Sequence, residues 1–216
     1  MNRELSARPS SLVGHPITRR ALAKQRTRER LLDAARQLFI ERGYEAATVR
    51  DIAAAADLST GAVFASFLDK ADLFNAVLTA DYQRVSQKMG QQDLAGLSVR
   101  DALLRLVGVA YDLHVQQLGL VQAAVSFAWQ RDRDAEARDR QGSALILSLL
   151  AGVMARGVER NELSADFDVK LAVDMLWDCY LANLRRAIFD HWDAPALKAR
   201  MAAQLDLLLT GHKAAG

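Results

Sequence analysis

The segment that most restricts the fold is a 23-residue stretch, TVRDIAAAADLSTGAVFASFLDK (residues 48–70), in which two short apolar segments flank a four-residue break. Thr48, with Asp51 three residues later, approximates a capping box and predicts a helix of about two turns through the alanines. Asp57 falls in the break, where a short polar side chain tolerates a left-handed backbone, and Ser59 can cap the helix that follows. The small alanine side chains allow these two helices to cross closely at a short turn.

Two interpretations of this pair of helices remain open from the spacing alone. The pattern fits a helix-turn-helix whose last helix is free to enter a DNA major groove. It fits equally well an ordinary helical hairpin inside a protein core, because short alanine-rich helices also pack in that way.

An amphipathic helix precedes the pair. From Arg26 onward, apolar residues recur at steps of three and four with charged residues between them, which is the spacing of a helix with one buried face. The apolar positions are Leu31, Leu32, Ala35, Leu38 and Phe39. Gly43 is expected to end this helix.

Lys70 lies in the first turn of the helix after the pair, which Asp69 caps with Asp72 three positions later. The helix dipole disfavours a cation at this place, so the lysine needs a compensating partner. A DNA phosphate would supply one, because the ammonium and the free N–H groups of the helix start would point at the same anion. The alternative is a pair with Asp69 or Asp72 in solvent.

Positive charge is concentrated at the N-terminus. Residues 1–30 carry eight basic side chains against Glu4 and Glu29, a formal charge of +6 in a chain whose total is +2. Such a run is most often a solvated tail, and it makes nucleic acid a possible partner. Pro9 and Pro16 interrupt the start of the chain and no apolar segment follows them, so residues 1–20 are predicted to be a disordered basic extension and not a signal peptide.

The segment RERLLDAARQLFIERGYEAATVRDIAAAADLSTGAVFASFLDKADLF, residues 28–74, resembles the tetracycline-repressor (TetR) family of transcriptional regulators. The shared features are a first helix that ends in Leu-Phe, then Gly43, Tyr44, Thr48, Asp51-Ile52-Ala53, Ser59, Gly61, Phe64, Phe67, Lys70 and Leu73. The resemblance covers about a fifth of the chain. It implies an all-α fold, with an N-terminal three-helix helix-turn-helix DNA-binding domain and a C-terminal helical domain for ligand binding and dimerisation.

The resemblance also implies which side chains contact DNA. Residues 60–62 would face the bases, Phe64, Ser66 and Lys70 would lie along the backbone, and Thr48 would touch a phosphate while capping its helix. A basic arm would add affinity without sequence specificity. The implied DNA-binding residues are Thr48, Ser59, Thr60, Gly61, Ala62, Phe64, Ser66, Lys70, Arg26 and Arg28.

The chain departs from the family pattern at three positions, and two of them belong to the implied DNA-binding residues. Asp57 stands where the family often has glycine, and Phe64 stands where tyrosine is common. Ser66 occupies a position that usually holds histidine or tyrosine. The last two departures bear on which side chains reach a phosphate.

The remainder of the chain is predicted to be helical, at about 70–89, 98–118, 120–129, 142–160, 168–190 and 195–210, with no strand pattern or internal repeat. Gly119 is expected to separate the second of these helices from the third. The chain is therefore divided into the basic extension (residues 1–20), a DNA-binding domain (residues 21–69), and a ligand-binding and dimerisation domain (residues 70–216).

The penultimate helix carries apolar residues on more than one face. Two apolar faces need two partners, so one face would pack in its own core and the other against a second copy, giving a two-fold homodimer. A central helix surrounded within one chain is the alternative. The family resemblance also implies a four-helix dimer interface. The predicted interface residues are Met175, Tyr180, Leu184, Ile188, Met201, Leu205 and Leu208.

A cavity for a small molecule is predicted between the C-terminal helices, because pockets combine aromatic walls with a few polar groups. Each candidate alone could equally be ordinary core, and Trp177 could belong to the dimer interface. The candidates are Tyr111, His114, Phe127, Trp129, Met154 and Trp177.

The sequence gives little support to an enzyme. Its four histidines are scattered, and it lacks a zinc-ligand spacing, a phosphate-binding loop and a nucleophile elbow, so no metal or cofactor is expected. The apolar stretches stop short of the ~20 residues that cross a bilayer. A single cysteine, Cys179, cannot form an internal disulfide. These features predict a cytoplasmic protein without a membrane partner.

Together these features predict a homodimeric transcriptional repressor. It would bind a palindromic operator in double-stranded DNA and would be released by an unidentified small-molecule effector. The rival interpretation is a small helical ligand-binding or carrier protein whose basic tail is incidental. Salt-sensitive binding that is specific for duplex DNA would separate the two.

Overall fold

The computed structural model describes residues 18–128 and 133–210. Over these ranges the chain forms nine α-helices and one short 3-10 helix, without a β-strand, which confirms the predicted all-α fold. The α-helices are α1 (Arg19–Ala46), α2 (Val49–Ala55), α3 (Thr60–Phe64), α4 (Lys70–Gly90), α5 (Val99–His114), α6 (Leu118–Ala128), α7 (Arg133–Glu159), α8 (Val169–Asp190) and α9 (Ala194–Leu209).

Helix α1 begins earlier than the apolar spacing suggested, because the Thr18 hydroxyl caps it by accepting a hydrogen bond from the Ala21 N–H at 3.2 Å. Arg19 and Arg20, which were assigned to the disordered extension, therefore belong to this helix. Residues 1–17 lie outside the described part of the chain. Near the other end of α1, Gly43 has φ 75° and ψ 172°, so the helix is interrupted where the glycine was expected to end it.

The two predicted caps of the short helices are confirmed. The Thr48 hydroxyl accepts a hydrogen bond from the Asp51 N–H at 3.1 Å and starts α2. The Ser59 hydroxyl accepts one from the Ala62 N–H at 3.2 Å and starts α3. Each cap satisfies a backbone donor that has no partner inside its helix, which stabilises a helix too short to form alone.

The turn between α2 and α3 has the predicted left-handed residue. Asp57 has φ 52°. Its N–H donates to the Ala54 carbonyl at 3.0 Å, and the Leu58 N–H donates to the Ala53 carbonyl at 2.9 Å. This pair of bonds is the Schellman pattern, which ends α2 and redirects the chain into α3.

The first three helices form a head with its own apolar core. Two later helices contribute to that core, because the start of α4 supplies Leu73 and Phe74 and α6 supplies Leu120 and Ala123. The remaining buried members are Leu31, Ala35, Leu38, Phe39, Ala47, Ile52, Ala53, Ala56, Val63, Phe67, Val77 and Leu78. The head therefore stands directly on α4 and α6.

The larger core lies in the body of the protein. There α4 packs against α7, α5 packs against α9, and α8 packs against both α7 and α9. Helix α4 belongs to both cores, since its later residues Val85 and Met89 are buried in the body. A displacement of α4 would affect both parts, because close-packed interiors transmit strain.

The junction between α5 and α6 differs from the prediction. Helix α5 ends at His114, Val115–Gln117 form the 3-10 helix, and Gly119 lies in the first turn of α6 and not between two helices. A Cβ atom at Gly119 would overlap the Ile40 carbonyl oxygen and lie 2.9 Å from that of Phe39. The glycine is needed because the backbones of α6 and α1 approach closely here.

Helix α7 starts before the predicted residue 142 and contains Arg140–Glu159, a segment that by length and composition alone could cross a membrane. Core helices of globular proteins pass the same test. Here Ile146, Leu150, Val153 and Met154 are buried in the body, and α7 packs along α4 and α8. One side of the segment is therefore packed in the core, and 33% of the apolar window is buried.

Candidate nucleic-acid interface and interior cavity

The outer face of α3 is exposed and is anchored from below. Val63 and Phe67 are buried in the head, which fixes the helix. Thr60, Gly61 and Phe64 are exposed on its outer side, and the Phe64 ring retains 57% of its accessible surface. Ser59 is also exposed, whereas Ala62 and Ser66 are half-buried. The side chains expected to read bases thus lie on, or at the edge of, one free surface.

Gly61 is not required by the packing of the head itself. A Cβ added there would meet only the Ser59 hydroxyl, at an ordinary contact distance of 3.7 Å. The residue also lies in α3, where glycine is less favourable than alanine. An absent side chain at an exposed helical position suits the close approach of another molecule.

Two arginines of α1 hold the helix-turn-helix in place. Arg28 Nη1 donates to the Ser66 carbonyl at 2.9 Å, and its guanidinium lies 4.2 Å from the centre of the Phe67 ring. Arg30 Nη2 donates to the Ala56 carbonyl and, at 3.4 Å, to the Asp57 carbonyl. Arg28 was expected in a phosphate-binding arm, but it braces the end of α3.

Sequence reasoning missed the role of Arg30, which it counted only as part of the basic run. The residue follows two arginines, Arg26 and Arg28, at the same spacing of two, and no spacing rule separates the three. Arg26 is exposed on the same helix and carries the expected outward charge. The basic run therefore contains both bracing and solvent-facing side chains.

Lys70 has a partner that neither interpretation of its position foresaw. Its Nζ donates to the Glu45 carbonyl at 3.2 Å and lies 4.2 Å from the centre of the Tyr44 ring. A cation over an aromatic face and a carbonyl compensates the unfavourable helix start from within the chain. A phosphate is therefore not needed to explain the lysine, although its ammonium has further protons to donate.

Thr48 combines an exposed position with a fixed hydroxyl. Its Oγ1 donates to Asp51 Oδ2 at 2.6 Å, in addition to accepting from the Asp51 N–H. This hydroxyl hydrogen bond lowers the pKa of the Asp51 carboxyl below its ordinary value. The start of α2 thus presents an ordered polar edge beside α3.

A cavity of about 50 Å³ lies inside the body, between α4, α5, α6 and α8. Its walls are mostly apolar, and its polar groups come from Asp81, His114 and the tyrosines. The lining residues are Leu78, Asp81, Tyr82, His114, Leu120, Val121, Ala124, Val125, Trp177, Tyr180, Leu181 and Leu184. A second void of about 10 Å³ lies on the other side of Trp177 and Tyr180.

A buried polar network crosses one wall of this cavity. His114 Nε2 bonds Asp81 Oδ2 at 2.9 Å, and His114 Nδ1 bonds the Tyr180 hydroxyl. Burial acts to raise the pKa of Asp81, but the hydrogen bonds and charges of His114, Gln117 and Arg84 outweigh it and hold that pKa below its ordinary value. Asp81 is therefore a carboxylate, and it accepts a hydrogen bond from the Nε2 proton of His114.

The network continues from Asp81 to the head. Gln117 Nε2 donates to Asp81 Oδ1 at 2.9 Å, and Gln117 Oε1 accepts from Arg84 at 3.0 Å and from Arg36. Arg84 also pairs with Asp81. Arg36 belongs to α1, so these bonds join the cavity wall to the DNA-reading part of the fold. Of the residues in this network, the sequence predicted only His114 as a pocket residue, because the other members lie on separate helices.

Two of the six predicted pocket residues, His114 and Trp177, line the cavity. Tyr111 and Met154 are fully buried in the body and do not line it, which corrects their assignment. Tyr111 accepts a hydrogen bond from Asn183 Nδ2 at 3.0 Å, and burial raises its pKa. The Phe127 side chain and the whole of Trp129 lie outside the described residues.

The predicted dimer residues divide into two groups. Leu205 is buried at the wall of a groove between α8 and α9. Tyr180, Leu184 and Met201 are buried within the protomer and offer no surface to a second copy. This corrects their assignment, since the helical face chosen from the sequence is the one that packs inward. Met175 is exposed, and Ile188 and Leu208 are half-buried.

The apolar face that α8 and α9 expose is formed mainly by residues other than the predicted interface set. Leu171 and Met175 of α8 and Leu207 of α9 are exposed, Leu207 by 79%. Met175 and Leu207 border a groove of about 240 Å³, whose lining residues are Met175, Leu176, Cys179, Gln204, Leu205, Leu207 and Leu208. Exposed apolar surface that extends over two adjacent helices is typical of contact sites.

The braced pair of short helices, with α3 presenting a free face, defines a helix-turn-helix DNA-binding protein. Residues 31–77 match the family model of the bacterial regulatory proteins of the tetR family. The HTH-type transcriptional repressor AcnR of Corynebacterium efficiens is 40% identical over 161 residues, which cover 73% of this chain and 81% of that protein. The chain belongs to the tetR family and is a transcriptional regulator, as its resemblance implied.

Further similarities extend over most of the chain. The HTH-type transcriptional repressor KstR2 of Rhodococcus jostii is 29% identical over 165 residues, covering 72% of this chain and 76% of that protein. The crystal structure of the regulator FadR from Bacillus subtilis in complex with stearoyl-CoA superposes with a TM-score of 0.70 at 19% identity, covering 85% of this chain and 98% of that one. At 19% identity, the similarity to FadR shows a shared fold.

Proposed function

We propose that the protein is a repressor that binds a palindromic DNA operator as a homodimer and is released when a small, mainly apolar molecule enters the cavity of the body. The observation that carries this proposal is the exposed face of α3, whose start is capped by Ser59 and whose surroundings are held by Arg28 and Arg30 from α1. Such bracing limits the movement of a five-residue helix that could not persist alone. We place the repressor in the cytoplasm, with its operator.

The DNA contacts follow from the side chains on that face. Thr60 and Gly61 would approach base edges in the major groove, with Ala62 at the edge of the contact. The Lys70 ammonium would take a phosphate, and the Thr48 hydroxyl would do so by turning its single proton from Asp51 to a phosphate oxygen. Arg26 would add to the salt-dependent part of the affinity. Phe64 places an exposed apolar ring at the edge of this face, where it would lie along the DNA backbone.

Dimerisation would use the groove between α8 and α9. Leu171, Met175 and Leu207 would pack against the same residues of a second copy, because a two-fold interface pairs a surface with itself. The relatives KstR2 and AcnR are named as transcriptional repressors. The two half-sites of a palindromic operator require two DNA-binding heads. The dimer would set the distance between those heads.

The effector would act through linkage between the cavity and the heads. A ligand that binds one arrangement of the dimer better shifts the population toward it, and if that arrangement fits DNA poorly, the repressor is released. FadR of Bacillus subtilis holds stearoyl-CoA, a molecule with a long apolar chain. The mainly apolar walls of the present cavity favour a ligand of related polarity.

The proposal is tested by passing genomic fragments of the source organism over the purified protein and mapping the retained fragments by footprinting. We expect protection of two half-sites related by a dyad and centred about 10 base pairs, or a multiple of that, apart. A carrier protein with an incidental basic tail would retain fragments without preference, and that result would reject the proposal.

A matched pair of variants checks that α3 makes the contact. Gly61→Glu adds a carboxylate where a side chain fits the fold, and should abolish retention of the operator in a folded protein. Ala95→Glu adds the same charge at another exposed position, between α4 and α5, and should leave retention unchanged. Equal retention by both variants would move the DNA-binding face away from α3.

A further inference from the structure

The buried network described above is a continuous path of side-chain hydrogen bonds between the cavity and the head. Its order is Tyr180 on α8, His114 on α5, Asp81 on α4, Gln117 in the 3-10 helix and Arg36 on α1. Tyr180, His114, Asp81 and Gln117 are all buried. Five separate elements thus meet in one polar chain, which an apolar core would not need for stability alone.

The cavity end of this path is sensitive to a ligand. Trp177 and Tyr180 stack with ring centres 5.6 Å apart, and both rings line the cavity beside His114. With about 50 Å³ of space, the cavity cannot hold a molecule of drug size unless its walls move. The Tyr180 ring is one of those walls, so a ligand that enlarges the cavity would draw the Tyr180 hydroxyl away from His114.

At the head end of the path, two arginines share one hydrogen-bond acceptor. Two guanidinium groups, from Arg36 and Arg84, share the acceptor Gln117 Oε1. Arg84 also pairs with Asp81, and the carboxylates of Asp81 and Asp33 both act on the charge of Arg36. Burial and then the charge of Arg84 lower the pKa of Arg36. The Nε atoms of both arginines are buried without a hydrogen-bond partner among the described residues. Movement of Gln117 would therefore remove the hydrogen bond that Gln117 Oε1 accepts from Arg36, and leave that guanidinium with the charges of Asp81 and Asp33.

A second contact at the same place makes α1 respond to such a movement. Gly119, two residues after Gln117, lies so close to α1 that a side chain there would overlap the Ile40 carbonyl. Gln117 is the last residue of the 3-10 helix, a conformation that often marks a hinge. A shift of residues 115–119 would press directly on the helix that braces α3 through Arg28 and Arg30.

We propose that the path Tyr180–His114–Asp81–Gln117–Arg36 couples the cavity to the DNA-reading head, with Gln117 as the residue through which the two sites sense each other. This inference rests on the proposed function. Because coupling between two sites is reciprocal, DNA bound at α3 changes the environment of Trp177 by the same path that a ligand uses to weaken DNA binding. The coupling is therefore measurable before the natural effector is known.

The experiment uses Trp177 as the reporter. Trp129→Phe and Trp192→Phe together leave it as the sole tryptophan of the chain. A labelled duplex of the operator recovered by footprinting reports binding by its anisotropy, and Trp177 emission reports the cavity. In this parent protein we expect operator binding to shift the Trp177 emission. Gln117→Leu and Arg36→Met should each retain operator binding and lose that shift.

Matched controls separate coupling from general damage. Gln116→Leu makes the same substitution at the exposed neighbour of Gln117 and should keep both the binding and the shift. Arg36 is only half-buried, so Arg36→Met should fold even if Gln117→Leu does not. In that case Arg36→Met alone tests the path. Circular dichroism and thermal unfolding identify that case.

The outcomes distinguish this inference from the proposed function. If no duplex is bound specifically, the proposed function fails. If the operator binds but Trp177 does not respond in the parent, or if the response persists in Arg36→Met, the proposed path is rejected while the repressor function stands. Loss of the shift in both path variants, with operator binding retained, supports the path.

Discussion

Arg28 on α1 donates a hydrogen bond to the main-chain carbonyl of Ser66, 38 residues later, at 2.9 Å. The bond joins the longest helix of the head to the residue that follows the DNA-reading face. It also uses a guanidinium that would otherwise be available to a phosphate. The position of α3 thus depends on a side chain outside the helix-turn-helix itself.

The first prediction concerns this brace. Arg28→Ala should weaken operator binding roughly tenfold, since one hydrogen bond to a charged donor is lost and α3 becomes less well positioned. Arg26→Ala, an exposed neighbour on the same helix, should instead reduce the salt dependence and affect all duplexes alike. Titrations at several salt concentrations compare the two. Identical behaviour of both variants would mean that Arg28 acts only by its charge.

The second prediction concerns the exposed ring of Phe64. Phe64→Tyr adds a hydroxyl at the edge of the DNA face, and a new phosphate hydrogen bond should tighten binding by about 1 kcal/mol. The gain should be similar on operator and unrelated duplex, because phosphates carry no direct sequence information. Thr60→Ala should instead change the preference among sequences. A gain confined to the operator would place residue 64 against a base.

Ser66→His tests the neighbouring departure from the family separately. Ser66 is half-buried, and its carbonyl is held by Arg28, so the backbone there is fixed while the side chain can change. An imidazole should add a phosphate contact of similar size, about 1 kcal/mol. Dissociation constants on both duplexes measure it. Looser binding would show that the short serine is needed for close docking.

The third prediction concerns assembly. Leu207→Glu and Met175→Glu should each give folded monomers, because both side chains are exposed in the protomer and each would place an unpaired charge in the dimer contact. Operator affinity should fall with them. Leu145→Glu, on an exposed apolar position of α7, should leave the dimer intact. Sedimentation of all three variants measures the mass, and dimers throughout would place the interface away from α8 and α9.

The fourth prediction concerns the pH dependence of stability. The pKa of Asp81 lies below its ordinary value in the folded protein, so the unfolded chain binds more protons at acidic pH and the stabilisation by this carboxylate is present above about pH 4. It is lost as the pH falls through the lower folded-state pKa. Asp81→Asn should therefore destabilise the protein by roughly 1–3 kcal/mol at neutral pH, and the difference from wild type should shrink in acid.

Urea unfolding at several pH values measures this difference. Asp112→Asn is the matched control, because that exposed carboxylate pairs only on the surface with Lys198 at 2.7 Å and should contribute less than about 1 kcal/mol. A difference between Asp81→Asn and wild type that stays constant with pH would show that the Asp81 carboxylate is not preferentially stabilised by folding.

The sequence by itself determined the local features of the head. Thr48 and Ser59 as caps, Asp57 in a left-handed turn and the break at Gly43 each depend on residues within four positions, so a linear pattern contains the information. The family resemblance added which face reads DNA. These predictions concern conformations that the backbone adopts for local steric and hydrogen-bonding reasons.

Only the tertiary structure decided which surfaces are free and which distant side chains meet. Tyr180 and Leu184 looked like contact residues for a second copy, yet they face inward, because an apolar helix face does not reveal which neighbour covers it. The meeting of Arg36, Asp81, His114, Gln117 and Tyr180 joins positions from five elements. Such a network arises from packing, and the spacing of residues along the chain carries no record of it.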